Sequence, residues 1–176
     1  VDDAAGRLGE IDWLVFTSAN AVDRLFGRIG DLGFDIRSLA GVRIAAMGPG
    51  TAAILESCHL RVDLCPTRRT SEGLLEAFKQ QGDLAGTRFL IPRPEVARDE
   101  LPAGLRGMGA EVEEAVVYRT VKPDGLPEGA LERLEGGEID LITFASSSSV
   151  RNFVDLLGVE RFGALRDGLA AASIGP

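Results

Sequence analysis

The chain has 176 residues, of which 45% are hydrophobic, and a formal net charge of −8 at pH 7. This composition predicts one packed domain or two small ones, and it excludes a disordered chain. The acidic balance argues against a nucleic-acid partner, and no apolar run reaches the ~18 residues that span a bilayer. Cys58 and Cys65 lack metal-ligand spacing, so we expect no metal and reduced thiols in a cytoplasmic protein.

Strands and helices alternate along the chain, an order typical of an α/β fold with a parallel sheet. Apolar runs predict strands at 12–16, 42–47, 60–64, 88–91, 111–121, 139–144 and 169–174. Helical spacing predicts helices at 19–29, 50–57, 71–78, 98–108 with a break around Pro102, 131–134, 150–157 and 162–165. The first half thus has about five strands, whereas the second shows two, which are too few for a stable sheet.

One short sequence occurs twice. Residues 11–22 (IDWLVFTSANAV) align with residues 139–150 (IDLITFASSSSV), and a Gly-Pro pair follows each copy, at 48–49 and 175–176. The repeat predicts two related halves, each with a polar turn between a strand and a helix. Because ligands bind at the carboxyl ends of parallel strands, we expect two half-sites facing one cleft. The second copy stops at its Gly-Pro, so we expect a fragment that is cut at both ends.

Small polar residues at these turns could bind an anion through hydroxyl, amide and backbone N–H groups. The candidate binding residues are Thr17, Ser18, Asn20, Gly48, Thr51, Ser71, Ser146, Ser147 and Ser148. A plain helix cap would explain any one of these turns, but similar clusters in both copies favour a ligand. The turn at 48–51 lacks the lysine of a P-loop and the third glycine of a dinucleotide motif, so a purely structural turn also remains open.

Several charged or hydrogen-bonding residues stand outside these clusters. Arg93 follows a predicted strand and could pair with a carboxylate or be a solvated loop charge. Tyr118, the only tyrosine, could be a core aromatic or could donate a proton into the cleft. Arg68 and Arg69 precede a helix and could bind an anion or lie in a surface loop, and His59 is interpreted as structural or exposed.

These segments together resemble the uroporphyrinogen-III synthase family. The likeness spans nearly the whole chain and rests on the order and spacing of its parts. Those parts are FTSANAV (16–22), RIAAMGPGTAAIL (43–55), PTRRTSEGLLEAF (66–78), FLIPRPEVARDELPAGLRGMGAEVEEAVVYRT (89–120) and FASSSSVRNF (144–153). The resemblance implies two flavodoxin-like parallel-sheet domains joined by a two-stranded linker, with the active site in the cleft between them. It implies an inserted domain at 1–118, a linker at 119–123 and part of a truncated, discontinuous domain at 124–176.

The resemblance also implies a reaction that needs no cofactor, in which a lyase cyclises hydroxymethylbilane to uroporphyrinogen III. This linear tetrapyrrole carries eight carboxylates, loses water and has its last ring inverted. The polar turns and Arg93 would bind the carboxylates. Tyr118 matches the family's tyrosine in the segment Val117–Thr120 and is the candidate proton donor to the leaving hydroxyl. A cytoplasmic monomer in haem biosynthesis, with a hinge at 119–123, is the further expectation.

Two other functions remain open from the residues alone. A non-enzymatic, two-lobed module that binds a small anion would use the same polar turns. A sugar-phosphate isomerase would also use them, but it would need a His or Glu base beside them, and none stands there.

Overall fold

The computed structural model describes residues 1–165 and 168–173. Its contacts group the chain into two compact units, Val1–Thr120 and Val121–Pro176. The domain limits expected from the resemblance, including the linker at 119–123, stay a prediction. Within the described residues, none of the helices combines the length and the apolar character that crossing a bilayer requires.

The first unit is built on a sheet of four parallel strands in the order β2-β1-β3-β4. The strands are β1 (Trp13–Phe16), β2 (Arg43–Ala46), β3 (Arg88–Pro94) and β4 (Glu111–Tyr118). The helices are α1 (Asp2–Gly6), α2 (Ala19–Asp31), α3 (Pro49–Ser57), α4 (Ser71–Lys79) and α5 (Glu100–Gly107). The chain runs from β1 outward to β2 and then returns to the other side of β1, so the strand order reverses between β1 and β3. This is the topological switch point at which such sheets bind ligands.

Strand β1 shows why the sheet is covered on both faces. All four of its residues are buried, as expected for a central parallel strand. Leu14 and Phe16 belong to one apolar cluster, which also takes residues from α2 and α3. Trp13 and Val15 belong to the other, which takes Phe78 and further residues from α4 and α5. The helices therefore form one layer on each face of the sheet, and the ends of the strands are left for polar groups.

Two predicted elements of this unit are wrong. Residues 60–64 are not a strand, because they form a single isolated bridge, between Leu64 and Ala45, beside the bonds of Asp63 with Ile44. The sheet therefore has four strands instead of about five. Helix α5 is not broken at Pro102, which is its third residue. Proline is tolerated there because the N–H groups of the first turn have no partner within the helix.

The second unit contains a pair of parallel strands, β5 (Leu141–Phe144) and β6 (Ala170–Ser173). Its helices are α6 (Ala130–Glu135), α7 (Ser147–Leu157) and α8 (Val159–Leu165). Helix α7 begins three residues before its predicted start, because Ser146 caps it. The end of the predicted strand 169–174 and the Gly-Pro pair at 175–176 lie outside the described residues.

The repeated sequence is also a repeated structure. Strand β1, helix α2 and strand β2 form the same parallel unit as β5, α7 and β6. Trp13 pairs with Arg43 in the first copy, and Leu141 pairs with Ala170 in the second. The aspartate before each first strand accepts an N–H bond from the opposite strand, at 3.0 Å and 2.9 Å respectively. The local sequence thus fixes the same fold and register twice.

Candidate active site

The carboxyl edge of the first sheet gathers polar residues from its strands. Thr17 and Ser18 directly follow β1, and Gly48 follows β2 after one residue. Arg93 is the penultimate residue of β3, and Tyr118 ends β4. Parallel strands end at one edge, so residues up to 101 positions apart in the sequence lie along a single rim.

A cavity of about 110 Å³ opens at this rim. Three of the predicted binding residues, Thr17, Ser71 and Arg93, line it together with Arg98. Its remaining wall is formed by Met47, Ile91, Ala97, Leu101 and Pro102. Two hydroxyl groups and two arginines around so small a space suit the carboxylate end of a ligand better than a large apolar group.

Arg93 is buried, with 9% of the residue exposed, which excludes a solvated loop charge. Its Nη1 atom donates to Asp99 Oδ1 at 3.0 Å and also pairs with Glu114. Glu114 in turn accepts from Arg106 at 2.9 Å. A ligand carboxylate at Arg93 would therefore take the place of Asp99, whose side chain is 82% exposed. The inner partner, Glu114, is only 23% exposed and holds the guanidinium in place.

Tyr118 lies next to the turn that follows β1. Its Oη atom is 3.2 Å from Ser18 Oγ, and its ring packs against the apolar cluster that contains Phe16. Ser18 caps α2, because its Oγ atom accepts the N–H of Ala21 at 3.2 Å. A register shift in the β3–β4 pairing places Pro94 opposite Tyr118. The phenol is thus half-buried and fixed at the N-terminus of α2.

The turn at 48–51 lies outside the wall of this cavity. Gly48 caps α3 without a side-chain hydrogen bond, and Thr51 is buried within the first turn of that helix. A Cβ atom at Gly48 would stand 3.6 Å from the side chain of Arg69. The aliphatic part of that arginine therefore covers the turn. The assignment of Gly48 and Thr51 as binding residues stays a prediction.

Helix α4 begins at the cavity, with Ser71 as its first residue. Thr70 caps it by accepting the N–H of Gly73 at 3.2 Å. A Cβ at Gly73 would meet the carbonyl oxygen of Arg68 at 2.1 Å, so only glycine fits this close approach. A hydrogen bond with the Thr70 hydroxyl and one with its own backbone N–H hold the pKa of Glu72 below its usual value.

The corresponding turn of the second unit is exposed. Ser146 caps α7 by accepting the N–H of Ser149 at 3.2 Å, and Ser149 Oγ accepts the N–H of Ser146 at 3.3 Å. Ser146 and Ser148 are joined at 3.0 Å through their hydroxyl oxygens. Ser147 is the first helical residue. Asn20 is likewise exposed in the first turn of α2.

His59 lies two residues beyond the end of α3 with a φ of +61°, and its N–H bonds to the carbonyl of Glu56. Such a left-handed residue after a helix serves as a C-terminal cap, which favours the structural interpretation. In the part of the chain that the structure describes, no three His, Cys, Asp or Glu side chains are grouped so as to hold a metal ion.

Comparison with known proteins identifies the family of this chain. The protein-family model described as uroporphyrinogen-III synthase HemD matches residues 1–176. The chain belongs to the uroporphyrinogen-III synthase family. It is 37% identical over 183 aligned positions to the uroporphyrinogen-III synthase of Synechococcus elongatus, covering 100% of this chain and 67% of that protein. It is also 37% identical over 157 positions to a putative uroporphyrinogen-III synthase of Methanothermobacter thermautotrophicus, covering 88% of this chain and 61% of that one.

Solved structures of the uroporphyrinogen-III synthase family share the fold. A mutant enzyme from Thermus thermophilus superposes with a TM-score of 0.63 at 24% identity, over 98% of this chain and 68% of the other. The Helicobacter pylori enzyme gives a TM-score of 0.57 at 22% identity, over 93% and 76%. These likenesses confirm the predicted α/β fold with parallel sheets and its two-domain type.

Sequence reasoning missed Arg98, Asp99 and Glu114. A signal for Glu114 was present, since Arg93 interrupts an apolar strand and a buried arginine needs an acidic partner. The acidic segment of β4 supplies that partner from the neighbouring strand. Arg98 carried no comparable signal, because it lies in a loop whose path depends on tertiary packing.

Proposed function

We propose that this chain is part of a uroporphyrinogen-III synthase that converts hydroxymethylbilane to uroporphyrinogen III in tetrapyrrole (haem) biosynthesis. The reaction is that of a cyclising hydro-lyase, because the substrate loses water as the ring closes and its last pyrrole is inverted. The family match over residues 1–176 carries the proposal. The chain spans 67% and 61% of the two relatives named above, so the activity is assigned to the full-length protein.

Tyr118 supplies the proton in the first step. The phenol O–H bond breaks, its hydrogen passes to the leaving hydroxyl, and the C–O bond breaks to release water. The last pyrrole attacks the resulting azafulvene cation through its substituted α-carbon and gives a spirocyclic intermediate. The bond from that carbon to its original methylene bridge then breaks, and the free α-carbon of the same ring bonds to the bridge, which inverts the ring. Rearomatisation after ring closure releases a proton from carbon, which returns to the phenolate. The reaction needs no external acid, oxidant or cofactor. The protein groups mainly orient the flexible linear tetrapyrrole.

The carboxylates are held by many separate donors. In the first unit, Thr17, Ser71 and Arg93 line the cavity at the sheet edge, with Arg98 beside them. The remaining donors of that unit are Asn20, Gly48 and Thr51. Ser146, Ser147 and Ser148 provide hydroxyl groups at the repeated turn of the second. Hydroxyl and N–H donors stabilise carboxylates without a net basic surface, which accords with a chain of charge −8.

The same proposal extends to the organisation of the protein. Residues 1–118 form the inserted domain, 119–123 the interdomain linker and 124–176 part of the discontinuous domain. The linker acts as a hinge, and the protein works as a cytoplasmic monomer on its small-molecule substrate.

The test is to incubate the full-length protein with hydroxymethylbilane, oxidise the product and separate uroporphyrins I and III. We expect isomer III to predominate, because enzyme-directed closure inverts the last ring. An excess of isomer I, as in ring closure that no enzyme directs, would overturn the proposal. Binding of the substrate without faster consumption would favour the two-lobed anion-binding module.

A further inference from the structure

After it caps α2, the hydroxyl of Ser18 has one hydrogen and one lone pair left. A serine hydroxyl offers two acceptor lone pairs and one hydrogen. The N–H of Ala21 occupies one lone pair at 3.2 Å. Tyr118 Oη lies at the same distance, 3.2 Å, and either oxygen can be the donor of that bond. The direction of this single hydrogen bond decides whether the phenol hydrogen points at Ser18 or away from it.

We propose that Ser18 donates its hydroxyl hydrogen to Tyr118 Oη and thereby leaves the hydrogen of the phenol free for the substrate. An oxygen that accepts a hydrogen bond becomes a stronger donor, and Ser18 Oγ already accepts from the helix. The N-terminus of the 13-residue helix α2 carries partial positive charge, which favours the oxygen end of the phenol over its hydrogen. Both effects favour the same direction.

This inference rests on the proposed function and assigns Ser18 a role in it. When the Tyr118 O–H bond breaks and its hydrogen leaves with the departing hydroxyl, the electron pair stays on the phenolate oxygen. The hydrogen bond from Ser18 stabilises that charge until the proton released on rearomatisation returns. Ser18 is therefore a positioning residue that acts through Tyr118, and its hydroxyl is no longer a free donor for a substrate carboxylate.

The bond direction is measured without any reaction. Tyr118 is the only tyrosine of these 176 residues. In the full-length protein, the difference between the ultraviolet resonance Raman spectra of the wild type and Tyr118→Phe isolates its contribution to the tyrosine doublet. The intensity ratio of that doublet is high for a phenol oxygen that accepts a strong hydrogen bond and low for a phenol that only donates one. We expect the accepting signature in the wild type, its loss in Ser18→Ala and its return in Ser18→Thr. Ser146→Ala, which removes the equivalent helix cap, is the control and leaves the spectrum unchanged.

A donating signature in the wild type, or a spectrum that Ser18→Ala does not alter, overturns the inference.

Kinetics of the full-length protein test the role of Ser18 in the reaction. We expect Ser18→Ala to lower kcat by about tenfold at nearly constant KM, since it removes one hydrogen bond to the charge that develops. Ser18→Thr restores kcat. In a Tyr118→Phe background, Ser18→Ala has no further effect.

The two failures are distinguishable. If the wild type forms no excess of isomer III, the proposed function fails, while the Raman spectra still decide the direction of the bond. If the wild type is active and Ser18→Ala lowers kcat equally with and without the Tyr118 hydroxyl, the positioning role fails and the function stands. Circular dichroism of each variant checks that the helix is retained.

Discussion

The turns after β1 and β5 have the same local structure and different surroundings. Ser18 and Ser146 each cap a helix through a bond of 3.2 Å to the third helical residue. The hydroxyl of Ser18 reaches Tyr118, 100 residues away, whereas that of Ser146 reaches Ser148, two residues away. Local sequence therefore determines the cap, and the neighbouring strands determine what else the hydroxyl can do.

The strands before the two turns explain the difference. β1 lies between β2 and β3, and all of its residues are buried. β5 pairs with β6 alone among the described strands, and Leu141 is 52% exposed. A central strand has its turn within a row of strand ends, so that even Tyr118, at the end of β4 two strands away, reaches Ser18.

The largest contrast is expected in the core. Phe16→Ala removes a fully buried ring and is expected to lower the free energy of unfolding by about 3–5 kcal/mol. Phe144→Ala, at the equivalent position of the repeat, removes a partly buried ring and is expected to cost less than about 2 kcal/mol. Urea denaturation followed by circular dichroism measures both. Equal losses would show that the two strands do not differ in burial as described.

A smaller contrast concerns ion pairs. Glu114→Gln weakens the partner of buried Arg93 and should destabilise the protein by about 2–3 kcal/mol, because Asp99 still neutralises part of the charge. Glu138→Gln breaks the exposed pair with Arg133 in the second unit and should cost about 0–1 kcal/mol. Denaturant midpoints of the two variants give the comparison. A near-zero effect of Glu114→Gln would rule out a structural role for the Arg93 pair.

Removal of the two helix caps should give a smaller difference in the free energy of unfolding. Ser18→Ala is expected to cost about 1–2 kcal/mol, since its half-buried site limits replacement by water. Ser146→Ala should cost about 0.5–1 kcal/mol, because the exposed N–H groups of α7 are open to solvent. Thermal unfolding of both variants, with the threonine replacements as controls, measures the difference. A larger loss at Ser146 would reverse the comparison.

The smallest effect concerns pH at α4, a helix of the first unit. The folded state holds the pKa of Glu72 below its usual value, chiefly through the Thr70 hydroxyl and secondly through a backbone N–H. This stabilisation is present above the unfolded pKa of about 4.3 and is lost as pH falls through the lower folded pKa. Trp13, the only tryptophan, reports the unfolding of this unit. Between about pH 6 and pH 3, Glu72→Gln should lose less stability than the wild type; an equal loss would exclude this contribution.

Much of the fold could be predicted because it depends on local patterns. The apolar run of β1, the helical spacing of α2 and the Thr70 cap were located closely. Residues 60–64 alternate apolar and charged side chains but bond to the sheet edge only through Asp63 and Leu64. No local pattern separates such a segment from a strand. Pro102 predicted a break because the helix was expected to begin at residue 98, which would place the proline in its second turn. Helix α5 begins at Glu100 instead, and the proline lies in the first turn.

The residue types at the candidate site could be predicted from the sequence, but their bonding partners could not. Thr17 and Arg93 line one cavity, as their common position at strand ends predicts, and Ser71 joins them from the start of α4. The bonds of Arg93 with Asp99 and Glu114, and of Ser18 with Tyr118, join separate elements. Such contacts depend on the order and register of β1, β3 and β4, which the repeat does not determine because it sets only the β1–β2 and β5–β6 pairs.

The most direct measurement compares full-length wild type with Tyr118→Phe in the conversion of hydroxymethylbilane, recording both the rate of consumption and the ratio of uroporphyrin isomers. We predict that the wild type forms isomer III, and that the phenylalanine variant turns over more slowly with a larger share of isomer I. Full turnover with an unchanged isomer ratio in Tyr118→Phe would contradict the assignment of Tyr118 as the proton donor.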